Sequence, residues 1–246
     1  MKYFFANWKM YLTAAESRSA ARSLAGFSLP EGIRAAVFPN TLAFSAAADE
    51  LGGSYWQLGA QNVDSTPQGA YTGATSALMF KEAGAVYALV GHSERRHIFG
   101  ETDEAAHNKT QACLDAGLIP VVCVGESESD RKEDKRQYRL KKQLFQVFTG
   151  LNLPSGAALV AYEPVWAIGS GEPCAPADAD DVAGWIKLEL SQSFGLTAAV
   201  LYGGSVTPDN VAGYLEREAI DGVLSGSAST RPDSVAAMLA AVEGSG

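Results

Sequence analysis

The chain has 246 residues, of which 47% are hydrophobic and 19% charged, which is enough for one large hydrophobic core. Length alone allows two domains, but α/β barrels commonly reach about 250 residues as a single domain. The formal charge is −9, from 19 Lys and Arg against 28 Asp and Glu. A surface that binds nucleic acid needs local positive charge, so this composition argues against a nucleic-acid partner.

The cysteines and the first residues bear on compartment and cofactors. Cys113, Cys123 and Cys174 are odd in number and lack the spacing of metal ligands, which is typical of reduced thiols in a cytoplasmic protein. The apolar run between Lys2 and Asn7 is too short for a signal peptide, and no stretch approaches the length of a membrane span. We therefore expect a cytoplasmic protein with no metal, no cofactor and no membrane partner.

Short β-rich apolar runs alternate with longer helical patterns along the chain, and Ser76–Ala83, Asp103–Ala116 and Asp178–Ser193 are predicted helices. The predicted strands, in chain order, are Tyr3–Asn7, Ala35–Phe38, Tyr55–Asn62, Val86–Gly91, Leu118–Gly125, Ala158–Glu163, Ala198–Tyr202 and Ile220–Leu224. Strands that alternate with helices pair in parallel through right-handed crossovers, and eight of them can close into a (β/α)8 barrel. We predict one such barrel domain over residues 1–246, with a doubly wound open sheet as the alternative.

The run Asp130–Lys142 is rich in charges of both signs. Glu133 and Arg136 are spaced to meet on one face of a helix. We interpret the run as the solvated surface of a helix and not as a binding patch.

Three reactive side chains lie at predicted strand ends, where barrel enzymes place their reacting groups. Lys9 follows the first strand, His92 follows the fourth, and Glu163 ends the sixth. A carboxylate base, an imidazole donor and a stabilising ammonium group are suited to proton transfer beside a carbonyl. Taken singly, each has a structural interpretation, as a surface charge for Glu163 and Lys9 and as a partly buried histidine for His92.

The loops after the seventh and eighth predicted strands are small and rich in glycine, at Tyr202–Val206 and Ser225–Ser229. Such loops let backbone N–H groups approach an anion, and barrels commonly bind phosphate after these two strands. Each loop alone is an ordinary turn. Their shared position predicts a phosphate site.

Four segments resemble the triosephosphate isomerase family, and they are collinear within the stretch from Asn7 to Ser229. They are Asn7-Trp8-Lys9, Gly91–Arg96, Ala161–Gly169 and Tyr202–Val206. The resemblance implies interconversion of D-glyceraldehyde 3-phosphate and dihydroxyacetone phosphate through an enediol(ate), in glycolysis and gluconeogenesis. It also implies that Glu163 is the base, that His92 is a neutral electrophile and that Lys9 is the cation near the carbonyl oxygen, with Asn7 beside the substrate. The phosphate would bind backbone N–H groups of Gly169, Ser205, Gly226 and Ser227.

The resemblance also implies a moving lid and a dimer. Pro164–Cys174 resembles the lid that closes over the substrate and excludes water. Gln61–Gly73 resembles the loop that enters the partner subunit, with Thr72 near its tip. We therefore expect a homodimer.

Four positions depart from the family pattern. Ser227 replaces a glycine of the phosphate site, and Glu172-Pro173-Cys174 replaces the common Lys-x-Ala at the end of the lid. Ala74 replaces a glutamate, which should remove an intersubunit charge pair with Arg95. Lys187 replaces an arginine, so that a pairing with Asp221 would lose its bidentate geometry.

Two other functions remain open on the residues alone. Another phosphate-binding barrel, such as a sugar-phosphate epimerase or lyase, would usually need a metal site or a Schiff-base lysine. A non-catalytic binding protein could use the same fold, because fold does not imply function. The set of Lys9, His92 and Glu163 favours the isomerase.

Overall fold

The computed structural model describes residues 1–154, 156–168 and 172–243, with the backbone alone at Glu243. Its strands form a closed barrel in chain order, and each strand pairs in parallel with its two neighbours. They are β1 (Lys2–Asn7), β2 (Ile33–Phe38), β3 (Trp56–Ala60), β4 (Tyr87–Val90), β5 (Ile119–Val124), β6 (Leu159–Tyr162), β7 (Ala199–Tyr202) and β8 (Gly222–Ser225). The predicted barrel and its strands are therefore confirmed, and the open sheet is excluded.

Helices surround the barrel and join its strands. They are α1 (Ala14–Ala25), α2 (Phe44–Leu51), α3 (Ala77–Glu82), α4 (Ser93–His97), α5 (Asp103–Asp115), α6 (Glu128–Lys132), α7 (Arg136–Phe148), α8 (Pro176–Phe194), α9 (Val211–Leu215) and α10 (Pro232–Glu243). The three predicted helices correspond to α3, α5 and α8. Ser76 and Thr102 cap the first two by accepting backbone N–H groups, and Pro176 opens the third. None of the helices in the described ranges is both long and apolar enough to cross a bilayer.

Side chains of each strand alternate between two hydrophobic layers. On β1, Phe4 and Ala6 pack outward against the helices, whereas Phe5 belongs to the separate cluster inside the barrel. Phe5 contacts the ring of Phe38 at a centroid distance of 5.3 Å and that of Tyr87 at 4.7 Å. Because buried side chains fill the interior, a ligand must bind at an end of the barrel and not within it.

The prediction that Glu133 and Arg136 share one face of a helix within Asp130–Lys142 is wrong. The run is divided between α6 and α7, and Asp134 turns the chain between them with a φ of 54°. Glu133 lies in this turn and pairs with Lys135 at 2.5 Å. Arg136 begins α7, and its Nε lies 3.3 Å from the carboxylate of a buried glutamate instead. The left-handed residue therefore sends the two charges in different directions.

The predicted loss of a bidentate ion pair at Lys187 is confirmed. Lys187 on α8 makes a single contact, from Nζ to Oδ2 of Asp221, at 2.8 Å. The same carboxylate oxygen accepts the backbone N–H of Val200 at 2.7 Å. Asp221 thus ties α8 to the start of β7 without the fork that an arginine would provide.

Candidate active site

One cleft lies at the C-terminal ends of β1, β4, β6, β7 and β8. Its lining contains the predicted site residues that the structure describes: Asn7, Lys9, His92, Glu163, Ser205, Gly226 and Ser227. Gly169, which was predicted with them, lies outside the described residues. Residues from five separate strand ends are therefore brought together in one place.

Glu163 directly follows β6 and is 1% exposed. Two glycines flank it, each directly after the end of a neighbouring strand. A Cβ on Gly125 would lie 1.7 Å from the carbonyl oxygen of Glu163, and a Cβ on Gly203 would lie 2.9 Å from its Cγ. The N–H of Glu163 donates to the carbonyl of Val124 at 2.8 Å. The close approach of β5 and β7 thus confines this residue, and both neighbours must lack a side chain.

The two carboxylate oxygens of Glu163 have different surroundings. Oε2 accepts the backbone N–H of Ser93 at 2.8 Å. Oε1 is buried and has no hydrogen-bond partner among the described residues, although Nε2 of His92 lies 3.1 Å away. A buried carboxylate oxygen without a full hydrogen bond is costly, so Oε1 is the oxygen suited to receive a proton.

His92 ends the strand-to-helix turn before α4 and caps that helix with its side chain. Its Nδ1 accepts the backbone N–H of Glu94 at 3.2 Å. A ring nitrogen that accepts a hydrogen bond carries no proton, so the neutral ring has its proton on Nε2. His92 lines the cleft, and its Nε2 lies 3.1 Å from Oε1 of Glu163.

Lys9 adopts the left-handed conformation, with a φ of 49°. Such a backbone costs an ordinary residue about 1–2 kcal/mol, so the surroundings must hold it. Oδ1 of Asn7 accepts the N–H of Lys9 at 3.0 Å, and Nε2 of Gln61 donates to its carbonyl at 2.8 Å. The Nζ of Lys9 contacts Oε1 of Glu94 at 2.6 Å, so the ammonium group is held at the edge of the cleft.

The opposite side of the cleft consists of the loops after β7 and β8. Ser205 is fixed by its hydroxyl, which donates to the carbonyl of Ala167 at 2.8 Å. Ser227 begins a short 3₁₀ helix, Ser227–Thr230, and does not have a positive φ. A Cβ on Gly226 would lie 3.2 Å from Cε of Lys9, so glycine allows the lysine to pass over this loop. Small residues thus face three polar side chains, which suits an anionic ligand with a reactive carbonyl.

Comparison with known proteins identifies the family. Residues 2–242 match the model of the family described as triosephosphate isomerase. The chain belongs to this family. It is 41% identical over 245 residues to the triosephosphate isomerase of Symbiobacterium thermophilum, covering 96% of this chain and 94% of that protein. The triosephosphate isomerase of Aquifex aeolicus is 40% identical over 236 residues, covering 94% of this chain and 95% of the relative.

Membership of the triosephosphate isomerase family settles the class of reaction. The chain is an intramolecular isomerase that interconverts D-glyceraldehyde 3-phosphate and dihydroxyacetone phosphate in glycolysis. The lyase, epimerase and non-catalytic alternatives that the residues left open are therefore excluded. The site therefore serves one reaction, which moves a proton between adjacent carbons.

Pro164–Cys174, the segment predicted to be a lid, is anchored on both sides of its undescribed residues. The indole N–H of Trp166 donates to the carboxylate of Glu126 at 2.8 Å. The backbone N–H of Cys174 donates to the hydroxyl of Tyr202 at 3.1 Å, and the hydroxyl of Tyr214 donates to the carbonyl of Cys174 at 2.5 Å. The three residues between these anchored parts, 169–171, lie outside the described residues.

Two contributions to the site had not been predicted. Gln61 holds Lys9 and also donates to the carbonyl of Phe38 at 2.7 Å, whereas its place in the sequence predicted only a part in the dimer loop. Its position directly after β3 could have predicted this role, because barrel sites form at strand ends. Ser93 acts on Glu163 through its backbone N–H, which no side-chain pattern can reveal.

Proposed function

We propose that Glu163, His92 and Lys9 carry out the isomerisation. The observation that supports this most is the buried Oε1 of Glu163, which lies 3.1 Å from Nε2 of His92. A base and a hydrogen-bond donor at this separation can act on the proton and on the oxygen of one small substrate.

In this mechanism the carboxylate of Glu163 removes a proton from the carbon next to the substrate carbonyl. The electrons of the broken C–H bond form a carbon–carbon double bond, and negative charge moves to the carbonyl oxygen. His92 donates its Nε2–H to that oxygen, and the ammonium group of Lys9 stabilises the charge. Glu163 then returns its proton to the former carbonyl carbon, and the ring of His92 takes up the proton of the hydroxyl on the other carbon. That hydroxyl becomes the new carbonyl, the ring regains its Nε2–H, and the exchange of aldehyde and ketone is complete.

Phosphate binding is proposed for the backbone N–H groups of Gly169, Ser205, Gly226 and Ser227, with Asn7 beside the substrate. The small residues of these loops support it, because they leave backbone groups accessible to an anion. Since the whole chain carries a charge of −9, Lys9 supplies the local attraction for a phosphate dianion.

Isomerisation in D₂O tests this mechanism. A proton held on a carboxyl group exchanges with solvent, so the product should carry deuterium on the newly protonated carbon. Mass spectrometry or proton NMR of the product measures this directly. A product without any deuterium would indicate a hydride shift and would contradict the role of Glu163.

We further propose that the chain works as a homodimer, with the loop that contains Thr72 reaching the partner subunit. Residues 67–74 are exposed in the single chain. A groove beside Lys9 and His92 is rimmed by the exposed apolar side chains of Met10 and Phe99, which are 93% and 67% accessible. Such a rim is typical of a protein interface. Light scattering at micromolar concentration should give twice the chain mass, whereas a fully active monomer would contradict the proposal.

A lid and a cytoplasmic location complete the proposal. Pro164–Cys174 would close over the bound substrate, since its described ends are hinged on hydrogen bonds to the barrel loops. A cytoplasmic location is supported by Cys113, Cys123 and Cys174, which are buried free thiols suited to a reducing compartment. Amide hydrogen exchange of residues 164–174, with and without a phosphorylated ligand, tests the lid, and fractionation of cells tests the location.

A further inference from the structure

A buried glutamine on α7 holds the strand next to the catalytic glutamate. Gln143 is 6% exposed and lies on the face of α7 that packs against the barrel. Its Oε1 accepts the N–H of Gly125 at 2.9 Å, and its Nε2 donates to the carbonyl of Gly125 at 3.3 Å. Both backbone polar groups of one residue are therefore held by one side chain.

The need for this contact follows from the geometry of the sheet. Val124 and Glu126 direct their carbonyls towards β6, where they accept the N–H groups of Glu163 and Val165. The polar groups of Gly125 face the opposite way, towards β4. However, β4 ends at Val90, so Gly125 is left without a strand partner on that side. Gln143 takes the place of that partner.

Gly125 is also in direct contact with the base. The 1.7 Å distance between a Cβ added at Gly125 and the carbonyl oxygen of Glu163 shows that their backbones pack without a gap. The hydrogen bonds from Glu163 and Val165 to β5 lie on either side of this contact. A shift of Gly125 would therefore displace the backbone of Glu163.

We propose that Gln143 is a positioning residue for proton transfer, and that it acts on Glu163 through Gly125. It does not contact the cleft, so it sets the place of the base without touching the substrate. The inference rests on the proposed role of Glu163 as the base. A displacement of about 1 Å at a reacting group can reduce the rate about a hundredfold, so a small loss of order at Gly125 is enough to matter.

Two variants of Gln143 separate positioning from simple stability. Gln143→Met keeps the length of the side chain but loses both hydrogen bonds, whereas Gln143→Glu keeps the acceptor for the N–H of Gly125. Leu144→Ala is the matched control, because Leu144 is a fully buried neighbour on α7 without a hydrogen bond to Gly125. It should lower the melting temperature at least as much as Gln143→Met.

We expect kcat to fall about tenfold to a hundredfold in Gln143→Met and by an intermediate amount in Gln143→Glu. KM should stay within about threefold, because the phosphate loops after β7 and β8 are unchanged. In Leu144→Ala, kcat should stay within about threefold of that of the original chain. Amide exchange, measured by NMR, should become faster at Gly125 and Glu163 in Gln143→Met but not at Val122 or Val160.

The proposal is overturned if kcat of Gln143→Met stays within twofold of the original value, or if Leu144→Ala loses as much kcat as Gln143→Met. It is also overturned if neither Gln143 variant folds while Leu144→Ala does, because the role would then be structural. The Glu163→Gln variant tests the role of Glu163 as the base separately from its coupling to Gln143. Full activity of that variant would refute the base, whereas unchanged exchange at Gly125 and Glu163 in Gln143→Met would refute the coupling alone.

Discussion

Ser227 shows how a side chain can enter a site made of backbone groups. A serine in the left-handed region would be strained by about 1–3 kcal/mol, but Ser227 has no positive φ and avoids this cost. Its hydroxyl has no hydrogen-bond partner within the described ranges and is exposed at the cleft. The N–H can therefore still face a phosphate, and the hydroxyl can add a second donor.

Two substitutions separate these roles. Ser227→Gly keeps the N–H, so kcat/KM should change by less than about tenfold, or about 1.4 kcal/mol. Ser227→Pro removes the N–H and should weaken substrate binding far more. Steady-state kinetics with glyceraldehyde 3-phosphate measures both. A hundredfold loss in the glycine variant would make the side chain the main ligand, and normal binding by the proline variant would remove Ser227 from the phosphate site.

For single residues, the sequence predicts a role in the site when that role belongs to a reactive side chain at a strand end. Lys9, His92 and Glu163 were predicted in this way, and the structure places all three in the lining of one cleft. The N–H of Ser93 was not predicted, because every residue other than proline has one. The strain at Lys9 was not predicted either, since it depends on Gln61, a residue far along the chain.

At the scale of elements, the turn between α6 and α7 depends on one residue with an unusual backbone. Asp134 has a φ of 54° and is exposed, so its side chain adds little packing to this position. Aspartate tolerates the left-handed region better than most residues, and glycine adopts it freely. The charge pattern alone did not reveal this break, because spacing along a sequence assumes that the helix continues.

Substitutions at Asp134 should follow backbone preference and not charge. Asp134→Val should lower the free energy of unfolding by about 1–2 kcal/mol, because a β-branched residue is strained at positive φ. Asp134→Gly should change little, or stabilise by up to about 1 kcal/mol. Urea unfolding midpoints measure both effects. Equal midpoints for the valine and glycine variants would show that the turn can be remade without the left-handed residue.

At the scale of the whole molecule, burial favours the protonated form of several thiol and phenol groups. It raises the pKa of Cys113 from 9.0 to about 12, that of Cys174 from 9.0 to about 11 and that of Tyr87 from 10.0 to about 12. Burial is the largest cause in each case. Since these groups hold their protons more tightly when folded, their contribution to stability is complete below the unfolded pKa. It is lost as the pH rises through the folded value.

The free energy of unfolding should therefore fall above about pH 9 and continue to fall to about pH 12. Each group that is ionised only in the unfolded chain lowers the free energy of unfolding by about 1.4 kcal/mol per pH unit. Urea unfolding between pH 8 and pH 10.5, at a fixed protein concentration, measures the decline. A double variant with Cys113→Ala and Cys174→Ala should decline less steeply. A constant free energy of unfolding between pH 8 and pH 10.5 would contradict the raised pKa values of these buried groups.

The barrel was predictable because the pattern of an apolar strand followed by a helix is repeated eight times. A misplaced boundary at one strand does not change the number of strands. Contacts between distant segments were not predictable in the same way. Nothing in the sequence around Gln143 indicates that its amide replaces a missing strand partner for Gly125. Such pairings depend on where β4 ends relative to β5, which the pattern of residues locates only to within a few positions.

The proposed mechanism depends above all on the carboxylate of Glu163, which carries the proton. Replacement by glutamine keeps the shape of the side chain and removes the base, and the most direct measurement is kcat of Glu163→Gln in a coupled assay. Circular dichroism of the same sample should show an intact fold. We expect kcat to fall by about 10²–10⁴. A folded Glu163→Gln variant that retains most of its activity would contradict the claim.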